Sequence, residues 1–165
     1  AEALEATRAG ELPVDYVERV TRAKLGAARQ RLVRRGLPPA PILCADTTVA
    51  LGRRILGKPA DAAEAKATLC ALSGRSHRVL TAVAVHDGRR SHFALSTSSV
   101  RFADLPAEVI EAYVASGEPF GKAGAYAIQS ALAGWIARIA GSYSGIMGLP
   151  LYETTQLLRR AHLRF

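Results

Sequence analysis

Residues 42–51 read Ile-Leu-Cys-Ala-Asp-Thr-Thr-Val-Ala-Leu, and no other stretch of the chain restricts its fold as tightly. Its apolar and β-branched side chains favour an extended backbone. The Leu-Pro-Pro-Ala-Pro segment at 37–41 cannot carry a helix into it, because proline lacks an amide donor and clashes with the preceding turn. The run therefore predicts a central strand. Asp46 interrupts it, and a bare carboxylate among apolar neighbours costs several kcal/mol unless a partner meets it. Two explanations stand. Asp46 is a metal ligand or general base at a strand end, where such groups commonly sit, or it caps a neighbouring turn or pairs with an arginine.

The remaining elements follow from periodicity and punctuation. Residues 1–12 read as a polar loop. Pro13 then opens an amphipathic helix over 14–35, with Val17, Val20, Lys24, Ala27, Ala28 and Leu32 on one stripe and Gly36 as its stop. Asp61 and Glu64 form a capping box for a helix that runs to Gly74. Strands at 79–85 and 93–102 flank a hairpin turn at 86–89. Pro106 opens a helix that Gly117 closes, and short strand-like runs follow at 125–129 and 135–139. A last helix follows Pro150, with Leu151, Thr154, Leu157 and Leu158 facing inward. Helices alternating with strands predict an α/β class with a mixed sheet, since the hairpin is antiparallel.

A chain of 165 residues with 49% hydrophobic content can bury one core, which excludes general disorder. No apolar run is long enough for a membrane span, and the opening Ala-Glu-Ala-Leu-Glu has neither the basic nor the apolar part of a signal peptide. Cys44 and Cys70 lie in predicted regular elements without CxxC spacing, so they read as small buried residues of a reducing, cytoplasmic compartment. The four histidines lack metal-ligand spacing and read as surface residues. A net charge of +8 calls for a phosphate-rich partner. The arginines are scattered and no aromatic platform accompanies them, which argues against nucleic acid and for a small nucleotide.

Four residues besides Asp46 break the pattern. Lys24 lies on the apolar stripe of its helix, either snorkelling to water or aimed into a cleft. Lys58, before Pro59, stands near the positive end of the helix that Asp61 caps. It is either an exposed loop lysine or one side of an anion site. Lys122 sits between glycines that permit close backbone approach to a ligand, although an ordinary turn looks the same. Gln129 closes a strand-like run and either reads a base edge or satisfies local backbone groups. Together, lysines and an aspartate spread over several elements suit a polyphosphate with a divalent cation.

With these residues in view, Leu43-Cys44-Ala45-Asp46-Thr47-Thr48-Val49 followed by Ile55-Leu56-Gly57-Lys58-Pro59 resembles the signature of Maf proteins. Tyr16-Val17 with Arg19 and Lys24, Leu72-Ser73-Gly74, Tyr126-Ala127-Ile128-Gln129, and Gly141-Ser142-Tyr143 with Gly148-Leu149-Pro150 resemble further blocks in family order. The resemblance implies an α/β fold like the inosine triphosphatases, with two lobes about a cleft, often as a homodimer. It implies hydrolysis of a nucleoside triphosphate to monophosphate and pyrophosphate with a divalent cation (Mg²⁺, Mn²⁺ or Co²⁺). Asp46, Lys58 and Lys24 would be catalytic, and Asp46 with Glu5 or Glu2 would hold the metal. Thr47, Gln129 and Lys122 would bind substrate, and Thr47 with Gln129 is similar to the TTP/UTP subfamily. The family's first strand and its S-x-S-P-R-R phosphate loop have no match here, so a segment ahead of Ala1 is expected. A non-catalytic nucleotide- or nucleic-acid-binding regulator of cell division is the alternative, since Maf proteins are also linked to septum formation.

Overall fold

The computed structural model describes residues 4–163. Helix α1 spans Pro13–Arg34, with proline in its first turn where the amide needs no partner. The prolines after it release the chain into β1 (Ile42–Leu51), and a tight turn returns it as β2 (Arg54–Leu56). Helix α2 (Ala62–Leu72) starts at Asp61, whose side chain accepts from the Glu64 amide at 2.8 Å. Strands β3 (Ser76–His86) and β4 (Ser91–Phe102) form the expected hairpin, and α3 (Ala107–Ala115) follows Pro106. Strand β5 (Ile136–Ala140), the short helix α4 (Tyr143–Met147) and α5 (Leu151–Arg160) complete the described chain.

The sheet has the order β2-β1-β3-β4-β5, and every pairing among the described strands is antiparallel rather than mixed. One face is covered by α1, where Val17 and Val20 pack on Ala50, Leu80 and Ala82. The opposite face carries two separate covers. At one end α2, α3 and the 123–135 loop pack with Val49, Val79, Val100 and Phe102. At the other, Leu157 and Ala161 pack with Val83 and Val85. A cleft opens beside these covers over β1, lined by Thr47, Val49 and Val79 of the sheet and by Ile146 and Met147 of α4.

Several expectations are corrected. Residues 125–129 do not form a strand: a 3₁₀ turn at Ala123–Ala125 leads into irregular backbone. Gly124 has φ +71°, and a Cβ there would meet Val49 at 2.8 Å, so the loop lies directly against β1. Its apolar residues line a cleft instead of a sheet face, which a short apolar run does not distinguish. Leu151 is 59% exposed, and helix α4 was not expected. Cys70 is exposed and Cys44 half-buried, so neither is a core residue. His77 and His86 are buried, contrary to the surface reading. His77 stacks on Phe102 and meets the Tyr126 hydroxyl at 2.6 Å, partners that come from distant sequence. Among the described residues, no helix is long and apolar enough to cross a membrane.

Candidate active site

Strand β1 brings Asp46 under α1, because the helix packs its apolar stripe on the same sheet face. Lys24 occupies that stripe and does not snorkel. Its Nζ donates to Asp46 Oδ1 and also meets Glu5 Oε1 at 2.7 Å. Lys58 Nζ donates to the other Glu5 oxygen at 2.6 Å. The result is a chain of alternating charge, Asp46–Lys24–Glu5–Lys58. Lys58 is an exposed loop residue, as one of its two readings had it, and the anion it meets is the protein's own Glu5 carboxylate. Glu2, the other glutamate weighed for this role, lies outside the described residues.

Burial pushes the Asp46 carboxyl above its usual range, against the hydrogen bond from Lys24. For Lys24 burial opposes the charged form, but the hydrogen bonds to Asp46 and Glu5 prevail and raise its pKa. Glu5 is held low by hydrogen bonds from Lys24 and then Lys58. An aspartate desolvated beneath α1 yet fixed by an ammonium group has the environment expected of a general base.

Asp46, Thr47, Lys58, Lys122 and Gln129 line one cavity of about 340 Å³. Val49, Val79, Tyr126, Ile128, Ile146 and Met147 form its apolar part. An adjoining hollow shares Asp46, Thr47 and Lys58 and adds Glu5 and Tyr16. The structure thus gathers the candidate residues it describes, Glu5 among them, in one neighbourhood. Lys24 lines neither hollow and reaches them through Asp46 and Glu5. Lys122 turns its ammonium back on the Glu118 carbonyl, while Gln129 is exposed at the cavity wall.

No cluster of three or more His, Cys, Asp or Glu side chains suited to a metal exists among the described residues. Asp46 and Glu5 nonetheless touch one ammonium nitrogen from two sides, so two carboxylates lie close together. One or two carboxylates plus substrate phosphates is the donor set that Mg²⁺ usually takes, and this pair fits it.

Sequence reasoning missed how Glu5 is held. Arg19 donates to the Leu4 carbonyl at 3.3 Å and the Ala6 carbonyl at 2.9 Å, and Tyr16 Oη donates to the Glu5 carbonyl at 2.9 Å. Three consecutive carbonyls are captured by one face of α1. Arg19 also pairs with Glu11 at 2.6 Å, which holds the Glu11 carboxyl down at about 2. The available signal was the i, i+3 spacing of Tyr16 and Arg19, which puts both on the same helix face.

Two lysines and an apolar recess lining one cavity, with Lys24, Asp46 and Glu5 paired at its edge, suit an anion-binding α/β protein with an aspartate placed for acid–base work. The chain belongs to the Maf family: the family model described as Maf-like protein matches residues 2–161. It is 66% identical over 163 residues to a dTTP/UTP pyrophosphatase of Polaromonas sp., covering 99% of this chain and 81% of that protein. Similar proteins of the same name occur in Cupriavidus metallidurans, at 62% identity covering 100% of this chain and 82% of that one, and in Albidiferax ferrireducens, at 58% covering 96% and 80%.

Proposed function

We propose that this protein hydrolyses dTTP and UTP to the nucleoside monophosphate and pyrophosphate, with a divalent cation, in the cytoplasm. The observation that carries the reading is the Asp46–Lys24–Glu5–Lys58 chain bordering the cavity that Gln129 also lines. The relatives' common name, dTTP/UTP pyrophosphatase, supports the same reading.

In this mechanism Asp46 accepts the proton of a water whose oxygen bonds to phosphorus. The P–O bond to the leaving pyrophosphate breaks, and water's second proton stays with the new phosphate. Lys58 exchanges Glu5 for a phosphate oxygen, since a polyphosphate offers it more negative charge than one carboxylate does. Lys24 keeps Asp46 ionised and oriented. Lys122 needs only to leave the Glu118 carbonyl to face the phosphates. Asp46 and Glu5 would hold the cation, which when bound supplies neutralisation of phosphate charge. The apolar recess takes the base, where Gln129 presents both donors and an acceptor. A homodimer belongs to the same reading and is checked by light scattering.

The test is ³¹P detection of products from UTP and dTTP with and without Mg²⁺. Pyrophosphate released only with the cation is expected. Orthophosphate as the first product overturns the mechanism.

A further inference from the structure

Thr81 is buried in the middle of β3, directly across from Thr47 of β1 in the strand register, and nothing in the reaction above uses it. Its hydroxyl lies 2.7 Å from the Gly145 carbonyl of α4 and 2.8 Å from the Thr47 hydroxyl. Gly145 comes this close because it has no side chain: a Cβ there would meet Ser96 Oγ at 3.0 Å. Two oxygens this close repel unless a proton lies between them, and a carbonyl has none to give. The Thr81 proton is therefore committed to Gly145. The contact between the two threonines then needs the Thr47 proton, so Thr47 donates to Thr81. What remains on Thr47 Oγ1 for the cavity is a lone pair.

We propose that Thr81 makes Thr47 an obligate hydrogen-bond acceptor toward the cavity, and that this sets a preference for pyrimidines carrying N3–H over cytosine. The inference rests on the pyrimidine-triphosphate reading and deepens it. Uracil and thymine have one donor on their ring edge, N3–H, flanked by two carbonyls. Cytosine places a bare nitrogen there, which would face the bare oxygen of Thr47. Gln129 on the same cavity is left to serve a carbonyl with its amide donors. Thr81 itself touches no substrate and acts as a positioning residue.

The experiment measures kcat/KM for UTP and CTP in the wild type, Thr81→Val, Thr81→Ala and Thr81→Ser. Removing the hydroxyl frees the Thr47 proton to swing into the cavity, where it can donate to cytosine N3. The UTP-to-CTP ratio should fall about tenfold or more in the valine and alanine variants, with CTP turnover rising as UTP turnover drops. Serine keeps the relay and should keep the wild-type ratio. Two hydroxyl-free variants cover the case in which one of them fails to fold. An unchanged ratio in a folded variant, or an equal loss on both substrates, overturns the inference. So does a wild type that takes CTP as readily as UTP. A wild type inactive on UTP and dTTP overturns the functional reading and the inference with it.

Discussion

Removing Lys24 tests whether the charge chain is an energetic unit. In Lys24→Met the methionine fills the space of the lysine stem, but Asp46 and Glu5 both lose the ammonium they share. The side chains of Lys24 and Asp46 are 26% and 10% exposed, between a surface pair and a buried one. Exposed pairs contribute about 0.2–1 kcal/mol, and breaking a fully buried pair costs about 3–5 kcal/mol. A charge-assisted hydrogen bond at this depth gives a coupling energy of about 1–2 kcal/mol. The assay is a double-mutant cycle of Lys24→Met and Asp46→Asn by urea denaturation at neutral pH with chelator present. Asp46→Asn alone should cost little stability, because the amide no longer carries a desolvated charge, yet turnover should fall about 10²-fold or more with the general base gone. Lys24→Met alone should cost about 2 kcal/mol, since it strands Asp46 and leaves Glu5 with Lys58 alone. In the double variant position 46 carries no charge and Glu5 keeps Lys58, so part of that loss returns. A coupling below about 0.5 kcal/mol would refute the claim that Lys24 and Asp46 act together.

Most strands and helices were legible because their signals are local, although the sheet is antiparallel and not mixed. β1 occupies the apolar run it was expected to occupy, and α1, α2 and α3 begin at Pro13, Asp61 and Pro106. Asp46 stood out because an aspartate in an apolar strand needs a partner, but nothing local named that partner. Lys24 lies 22 residues upstream on α1, and Glu5 lies farther upstream in a segment read as plain loop. The contacts that fix this loop run from Arg19 to backbone carbonyls, which carry no residue-type signal. The 125–129 run failed for a related reason. Its residues form a short apolar run that suits a strand, but Gly124 pins them against Val49 and the backbone bends over the cleft. His77 was misplaced because a histidine in a strand looks alike whether its neighbour is water or Tyr126.

Other outcomes follow from the same geometry. Arg19→Met should raise the Mg²⁺ concentration for half-maximal activity about tenfold, because Glu5 loses the clamp on its backbone. An unchanged metal titration would leave Arg19 a purely structural role. Gln129→Glu should cut kcat/KM for UTP and dTTP by about tens-fold while sparing a guanine-type triphosphate, since a carboxylate only accepts. An equal drop on both kinds of substrate would remove Gln129 from base reading. His77 provides the pH test. Burial holds its pKa down at about 4 against an ordinary 6.5, and its Nδ1 is buried without a partner among the described residues. The unfolded chain therefore takes up a proton before the folded one does. Stability from this group is complete above pH 6.5 and is lost as pH falls from there toward 4. At the acid end the loss amounts to about 3 kcal/mol. His77→Gln can keep a hydrogen bond to Tyr126 but does not titrate, so urea midpoints measured from pH 4.5 to 7 should lose most of their slope in that variant. A slope as steep as the wild type's would mean that other groups carry the acid sensitivity, and that the buried His77–Tyr126 pair takes up its proton without cost.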